Sequence, residues 1–331
     1  MGTQALTSAR REGLLRPALA LGVFLTVAMI LAASFGATPL SWRAVLGGDP
    51  TARTILIDIR LPRVLLAALV GATLAVAGVT FQTLLRNPLA DPFILGVSGG
   101  AACGAAVSTA LGLARFPGLV PLLAFAGALA ATAGVFLLAR RRDRTDPTRL
   151  LLSGLVLNAF FSSVILLAFA FSRQSDLTAA LRWMMGTLFG ASWTSVALLA
   201  TLLFLASAAL IWIANDLRMF AFGEEDAKSR GVDVERVKLA GFLAASIVTG
   251  AAVAVSGIIG FVGLLVPHLI RMAWRRDFRD LLPLCALGGA VLLVCADLIS
   301  RVAIESAELP LSAFTAILGV PFFLSLLRKA R

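Results

Sequence analysis

Asp297 is the one acid deep within an apolar stretch of this chain, and Arg301 follows it by four residues. That spacing stacks both side chains on one face of a helix, so an intrahelical ion pair is the simplest use of the two. A proton relay is the other use of such an acid, and it needs a cavity that the acid can face. His268 is the sole histidine and stands next to Pro267 in an apolar run. General acid–base work would need a partner group, and the sequence shows none; a bond to nearby backbone or a place at the interface accounts for it. Cys103, Cys285 and Cys295 also lie in apolar stretches. The last two would sit about 15 Å apart along one helix, too far to bridge. No Cys-x-x-Cys occurs, so neither metal nor cofactor is expected. A phosphate-binding loop needs Gly-Lys-Ser/Thr. The only lysines, Lys228, Lys238 and Lys329, follow no glycine. These absences argue against an enzyme and against ATP hydrolysis by this chain; any work it does draws on a partner or an ion gradient.

The elements that position these residues follow from composition. The chain has 331 residues, 59% hydrophobic and 14% charged, with mean hydropathy +0.94. A water-soluble fold of this size could not hide so much apolar surface. Runs long enough to cross about 30 Å of hydrocarbon recur ten times: 16–35, 62–84, 93–112, 118–139, 149–171, 194–214, 237–256, 258–273, 281–303 and 311–327. No alternating strand pattern competes, so helices are expected. Ser256 and Gly257 interrupt the run from 237 to 273, and one long kinked span is the rival reading there. Arg10, Arg11 and Arg16 before the first stretch give it the look of a signal peptide. It is longer than the usual apolar core of one, and it reads as an uncleaved first helix. Most of the 29 basic residues then fall on one side, including Arg140, Arg141, Arg142, Arg144 and Arg149. By the positive-inside rule both termini are cytoplasmic. The expected fold is an all-α polytopic membrane protein of about ten transmembrane helices, residues 1–331 forming one membrane domain. The formal charge of +11 is explained by topology and anionic lipid, without a nucleic-acid partner. Gly71, Ala75 and Gly78 share one helix face, and Gly257, Gly260 and Gly263 recur at threes, which suits close helix packing.

Two loops are patterned. Residues 86–100 carry Pro88 and Pro92, which cannot sit within an ordinary helix, and Asn87 and Asp91 before them avoid helical geometry. A tight cytoplasmic turn is expected. The loop 215–237 holds Glu224, Glu225 and Asp226, then Lys228 and Arg230, then Gly231. Acids first and bases last suit the dipole of a short helix, which Gly231 would stop. Asp233 could cap the next segment, with Phe220 and Phe222 beside the short helix. A self-capped connector and a docking helix for a cytoplasmic partner both fit this pattern.

Taken together, several segments resemble the FecCD-type permeases, membrane subunits of type II ATP-binding-cassette importers for iron–siderophore complexes, haem and vitamin B12. They are Arg60-Leu61-Pro62-Arg63, Arg86-Asn87-Pro88-Leu89-Ala90-Asp91-Pro92, Trp183-Met184-Met185-Gly186, Gly223-Glu224-Glu225-Asp226-Ala227, Ser256-Gly257 through Arg271, Glu308-Leu309-Pro310 and Leu318-Gly319-Val320-Pro321-Phe322. The resemblance runs from about residue 55 to 328. Arg275-Arg276-Asp277-Phe278-Arg279 departs from the Gly-x-Asp-His-Arg that many members carry there.

The resemblance implies a homodimer of ten-helix subunits in a bacterial or archaeal cytoplasmic (inner) membrane. It implies two ATPase subunits below and a periplasmic or lipid-anchored binding protein above. Coupling to the ATPase would map to Gly223, Glu224, Glu225, Asp226, Lys228, Arg230 and Gly231. The cytoplasmic gate would map to Asn87, Leu89, Pro147 and Thr148, and binding-protein docking to Arg60, Arg63 and Arg301. The cargo would be an iron–siderophore or haem, with cobalamin as the alternative. A gradient-driven carrier is the rival class, and the scarcity of intramembrane acids speaks against it.

Overall fold

Backbone groups in hydrocarbon must find partners within their own segment, and this chain is helical almost throughout. The computed structural model describes residues 2–329 except 37, 39, 117, 142–143, 221–222, 275–276 and 304–308. Arg142, Phe222, Arg275, Arg276, Glu308 and Arg331 of the sequence reading therefore lie outside the described residues. The helices are α1 (Gly2–Ser34), α2 (Trp42–Leu46), α3 (Pro50–Thr54), α4 (Leu61–Leu84), α5 (Val97–Ala110), α6 (Leu119–Ala139), α7 (Pro147–Ala170), α8 (Gln174–Met184), α9 (Trp193–Trp212), α10 (Ala214–Met219), α11 (Glu224–Ser229), α12 (Val234–Ser256), α13 (Val262–Ala273), α14 (Phe278–Val302) and α15 (Leu311–Lys329). A two-residue antiparallel ribbon pairs Arg140 with Thr145 and Arg141 with Arg144 between α6 and α7.

Among the described residues, seven helices are long and apolar enough to cross a membrane: Leu14–Ser34, Pro50–Leu84, Leu119–Ala139, Thr148–Ala170, Trp193–Trp212, Val234–Ser256 and Phe278–Val302. α13 and α15 are apolar but shorter, and α5 has 14 residues. These ten helices fall on the ten expected stretches. α5 starts later than residue 93 because Asp91 accepts the Phe93 N–H in a side-chain-closed turn and Gly96 then turns at φ 85°. The run from 237 to 273 is two helices, not one kinked span. α12 ends at Ser256, Gly257 takes φ 68°, and helix resumes at Val262. A side chain on Gly257 would also overlap the Trp183 carbonyl, so only glycine serves there. α2, α3 and α8 were not anticipated. α3 runs through a π-helical turn, Ile55–Arg60, straight into α4.

α4 is the central post. Of its apolar window 89% is buried, against 11% for α1. Small residues make that burial possible: a Cβ on Gly71 would overlap the Gly289 carbonyl of α14, and one on Gly78 would overlap the Gly263 carbonyl of α13. Gly260, by contrast, faces open space. At the far end of α4 Phe81 meets Phe242 of α12 edge-on at 5.5 Å, and Phe136 of α6 closes the same cluster at 5.5 Å. The post separates the two ends where the expected site residues lie. Arg60 precedes it and Asn87 follows it, and its 24 residues span about 36 Å.

Candidate functional site

At the Asn87 end, the chain leaves α4 through Arg86, held at φ 50°. Asn87 Oδ1 accepts the Leu89 N–H at 2.9 Å, and Asp91 Oδ1 accepts the Phe93 N–H at 2.8 Å. Two such turns in succession give a rigid hook where prolines forbid helix. Leu89 projects from it, 43% exposed, while Asp91 is buried, and burial pushes its carboxyl up to about 6. The second expected gate element is the start of α7. Pro147 is its first residue, with its side chain outside the described atoms, and Asp146 caps it through the Thr148 N–H at 2.8 Å. The hook and α7 are joined further along. Asn158 Nδ2 donates to the Phe93 carbonyl at 3.2 Å, and Gly154 lies against the Ile94 carbonyl. Beneath the hook, Gln82 donates to the Gly263 and Leu264 carbonyls and accepts from Arg271.

α11 precedes α12 and is built as the charge order predicts. Gly223 leads in at φ 123°, the helix stops at Ser229, Gly231 turns at φ 83°, and Asp233 caps α12 by accepting the Arg236 N–H at 3.2 Å. Ala227 is fully buried on the underside, as is Phe220 before it. Glu225, Asp226, Lys228 and Arg230 face outward. Glu224 departs from the expected acidic patch. It turns inward and binds Lys238 of α12, Oε1 to Nζ 2.8 Å. Lys238 is only 5% exposed and cannot keep water around its ammonium, so it takes Glu224, with Glu235 at 3.5 Å.

The opposite end carries the arginines. Arg60, Arg63 and Arg301, which the resemblance assigns to docking, all lie at this end, and Arg60 and Arg301 are buried there. Helix ends leave carbonyls unpaired, and these two guanidinium groups satisfy those of α1. Arg60 donates to Ala33 at 2.8 Å, to Ser34 at 2.6 Å and to Thr38; Arg301 donates to Ala32 at 3.0 Å and to Phe35 at 3.2 Å. Asp297 holds both flanking cations. Its Oδ2 lies 2.9 Å from Arg301 Nε, the expected intrahelical pair, and its Oδ1 lies 3.0 Å from Arg63, which the sequence reading missed. A cavity of about 740 Å³ opens beside this cluster, between α8 and the start of α15. Arg63, Arg182, Thr178 and Ser300 stand in its wall together with Met185 and Phe189. His268 touches none of this. Its ring meets Phe322 edge-on at 5.7 Å and Phe323 at 6.0 Å. No group of three or more His, Cys, Asp or Glu that could hold a metal occurs among the described residues.

Lys238, Gln82 and Asp91 were not singled out from sequence as site residues. The available signal for Lys238 was a lysine in the first turns of an apolar helix, three residues after Glu235.

Residues 24–329 match the model of the FecCD transport family. The chain is 40% identical to the hemin transport system permease of Yersinia pestis, covering 97% of this chain and 98% of that one. It is 43% identical to the cobalamin import system permease of Halobacterium salinarum, covering 85% and 75%. Among solved structures, it is similar to a metal-chelate type ABC transporter in an inward-facing conformation, with TM-score 0.84 and 31% identity over 94% of this chain and 98% of that one.

Proposed function

Because the chain belongs to the FecCD transport family and is the permease subunit of an ATP-binding-cassette importer, we propose that two copies enclose one translocation path across the cytoplasmic membrane, with both termini in the cytoplasm. ATP hydrolysis resides in partner subunits. Two of them dock on the outward face of α11, and a periplasmic or lipid-anchored binding protein delivers cargo to the arginine end. The observation that carries this reading is α11 itself. Its underside is sealed by Ala227 while Glu225, Asp226, Lys228 and Arg230 are presented to water. A connector needs no such amphipathic stop between two helices.

The exit is the hook carrying Asn87 and Leu89, with Pro147 and Thr148 at the head of α7. At the arginine end, Arg60 and Arg301 shape the docking surface from beneath, and Arg63 reaches the cavity wall. A gradient-driven carrier is disfavoured because Asp297 is neutralised by two arginines.

The cargo is a metal chelate, an iron–siderophore or haem. Apolar side chains and two guanidinium groups in the outer cavity suit a bulky ligand that carries carboxylates. Cobalamin is the second reading, supported by the 43% identity to a cobalamin import system permease. Calorimetry of the partner binding protein with haem, ferric siderophores and cobalamin decides between them. For the coupling assignment, Glu225→Lys with Asp226→Lys should lower uptake and cargo-stimulated ATP hydrolysis in proteoliposomes while the chain still inserts. Unchanged uptake and ATPase co-purification would count against it.

A further inference from the structure

Lys238 belongs to neither the outward face of α11 nor the exit hook, yet a chain of contacts that starts at its ammonium links the two. Its ammonium is buried and clamps Glu224, the first residue of α11, at 2.8 Å. One turn further along α12, Gly241 rests on the Leu84 side chain: a Cβ there would come within 3.1 Å of Leu84 Cδ1. The next residue, Phe242, meets Phe81 edge-on at 5.5 Å. Phe81 and Leu84 form the last turn of α4, and Arg86 and Asn87 of the hook follow directly. Each step is a close-packed or charge-paired contact, and such contacts shift as discrete units rather than stretching.

We propose that Lys238 is a positioning residue that makes α11 and the exit hook move as one body. This rests on the reading of α11 as the ATPase contact. The Glu224–Lys238 pair is suited to the task because a buried ammonium cannot exchange its carboxylate for water, and at 2.8 Å Glu224 is held closer than Glu235 at 3.5 Å. A load applied to the outward face of α11 therefore reaches α12 before α11 can slide on its apolar underside. Ala227 alone offers one methyl group on that underside, with no direction to its grip.

The test uses the whole importer, with its ATPase and binding protein, in proteoliposomes, and reads cargo taken up per ATP hydrolysed. Lys238→Met keeps the apolar stem and removes the charge. It should leave the complex assembled and ATP hydrolysis within about twofold, and lower uptake per ATP by about tenfold, in the range of typical coupling between sites. Lys238→Arg, which can still reach Glu224, should restore most of the ratio. Glu224→Gln disturbs the same link from the other side and should lower the ratio in the same direction, which keeps the test decisive if Lys238→Met fails to insert. An unchanged ratio in either neutral variant overturns the proposal. So does a parallel fall in ATP hydrolysis and complex yield without rescue by arginine, since that describes a purely structural residue. Failure of the unmodified chain to bind its ATPase would instead remove the reading of α11.

Discussion

Replacing Asp297 by Asn removes one charge from between two. The carboxylate is 1% exposed, its Oδ1 is 3.0 Å from Arg63, and its Oδ2 is 2.9 Å from Arg301. An exposed pair of this geometry would be worth only about 0.2–1 kcal/mol, because water replaces the lost partner. Here water cannot, since the Arg63 and Arg301 side chains are 12% and 6% exposed. Breaking a buried pair from one side costs about 3–5 kcal/mol. The amide also turns a donor toward a guanidinium group. Asp297→Asn should therefore lower stability by an amount near that range, read as the midpoint of unfolding when SDS is titrated into dodecyl maltoside micelles. Adding Arg63→Gln to it should cost less than the sum of the two changes, by about 0.5–3 kcal/mol, as for residues in one ion network. Arg301 also holds the Ala32 and Phe35 carbonyls, so a thiol placed at Phe35 should react faster in the Asp297→Asn background. A loss under about 1 kcal/mol, the value for an exposed pair, with additive double variants, would refute the idea that a buried triad closes this end.

Asp91→Asn should stabilise the chain at pH 7.5. The folded carboxyl is raised to about 6 from an ordinary 3.8, so folding favours its proton; the stability it contributes is present below about pH 4 and is lost as pH rises through 6, roughly 3 kcal/mol in all. Asn keeps an acceptor for the Phe93 N–H and should flatten that loss, measured by unfolding across pH 4–8; an unchanged slope would clear Asp91 of the effect. Gly78→Ala should cost at least 1–3 kcal/mol or block assembly, because its methyl meets the Gly263 carbonyl, whereas Gly260→Ala should be tolerated; thermal stability of the two variants in detergent compares them. Leu89→Cys should crosslink between two copies in one nucleotide state more than in another, and no crosslink in any state of an assembled importer would remove Leu89 from the gate.

The helices were legible because hydrocarbon forces a simple rule on sequence: about twenty apolar residues, bonded within themselves. Local punctuation was legible for the same kind of reason. Gly231, Asp233 and the Asn87–Asp91 hook act within a few residues, and each does in the structure what its type suggests. What sequence could not show is pairing across distance. Asp297 reads as the partner of Arg301 because they are four apart, while Arg63 is 234 positions away. Glu224 reads as one of three surface acids until α12 folds back and brings Lys238 to it. The resemblance assigns Arg60, Arg63 and Arg301 to an exposed docking face, yet Arg60 and Arg301 are buried. Their burial follows from the unpaired carbonyls of α1, which no local pattern announces. α8 escaped notice because its apolar residues are too few for a span.

The arginine closure of α1 also sets a timetable for synthesis. Arg60 reaches the Ala33 carbonyl from 27 residues downstream, but Arg301 reaches Ala32 from 269 residues downstream. At about 5–20 residues per second, Arg301 emerges roughly 13–54 s after α1. Until then the C-terminal end of α1 has Arg60 but not Arg301 on its carbonyls, and the side of α1 that packs against α14 is uncovered. A chain that stops before residue 301 thus leaves the Ala32 and Phe35 carbonyls without the guanidinium group that holds them in the finished subunit.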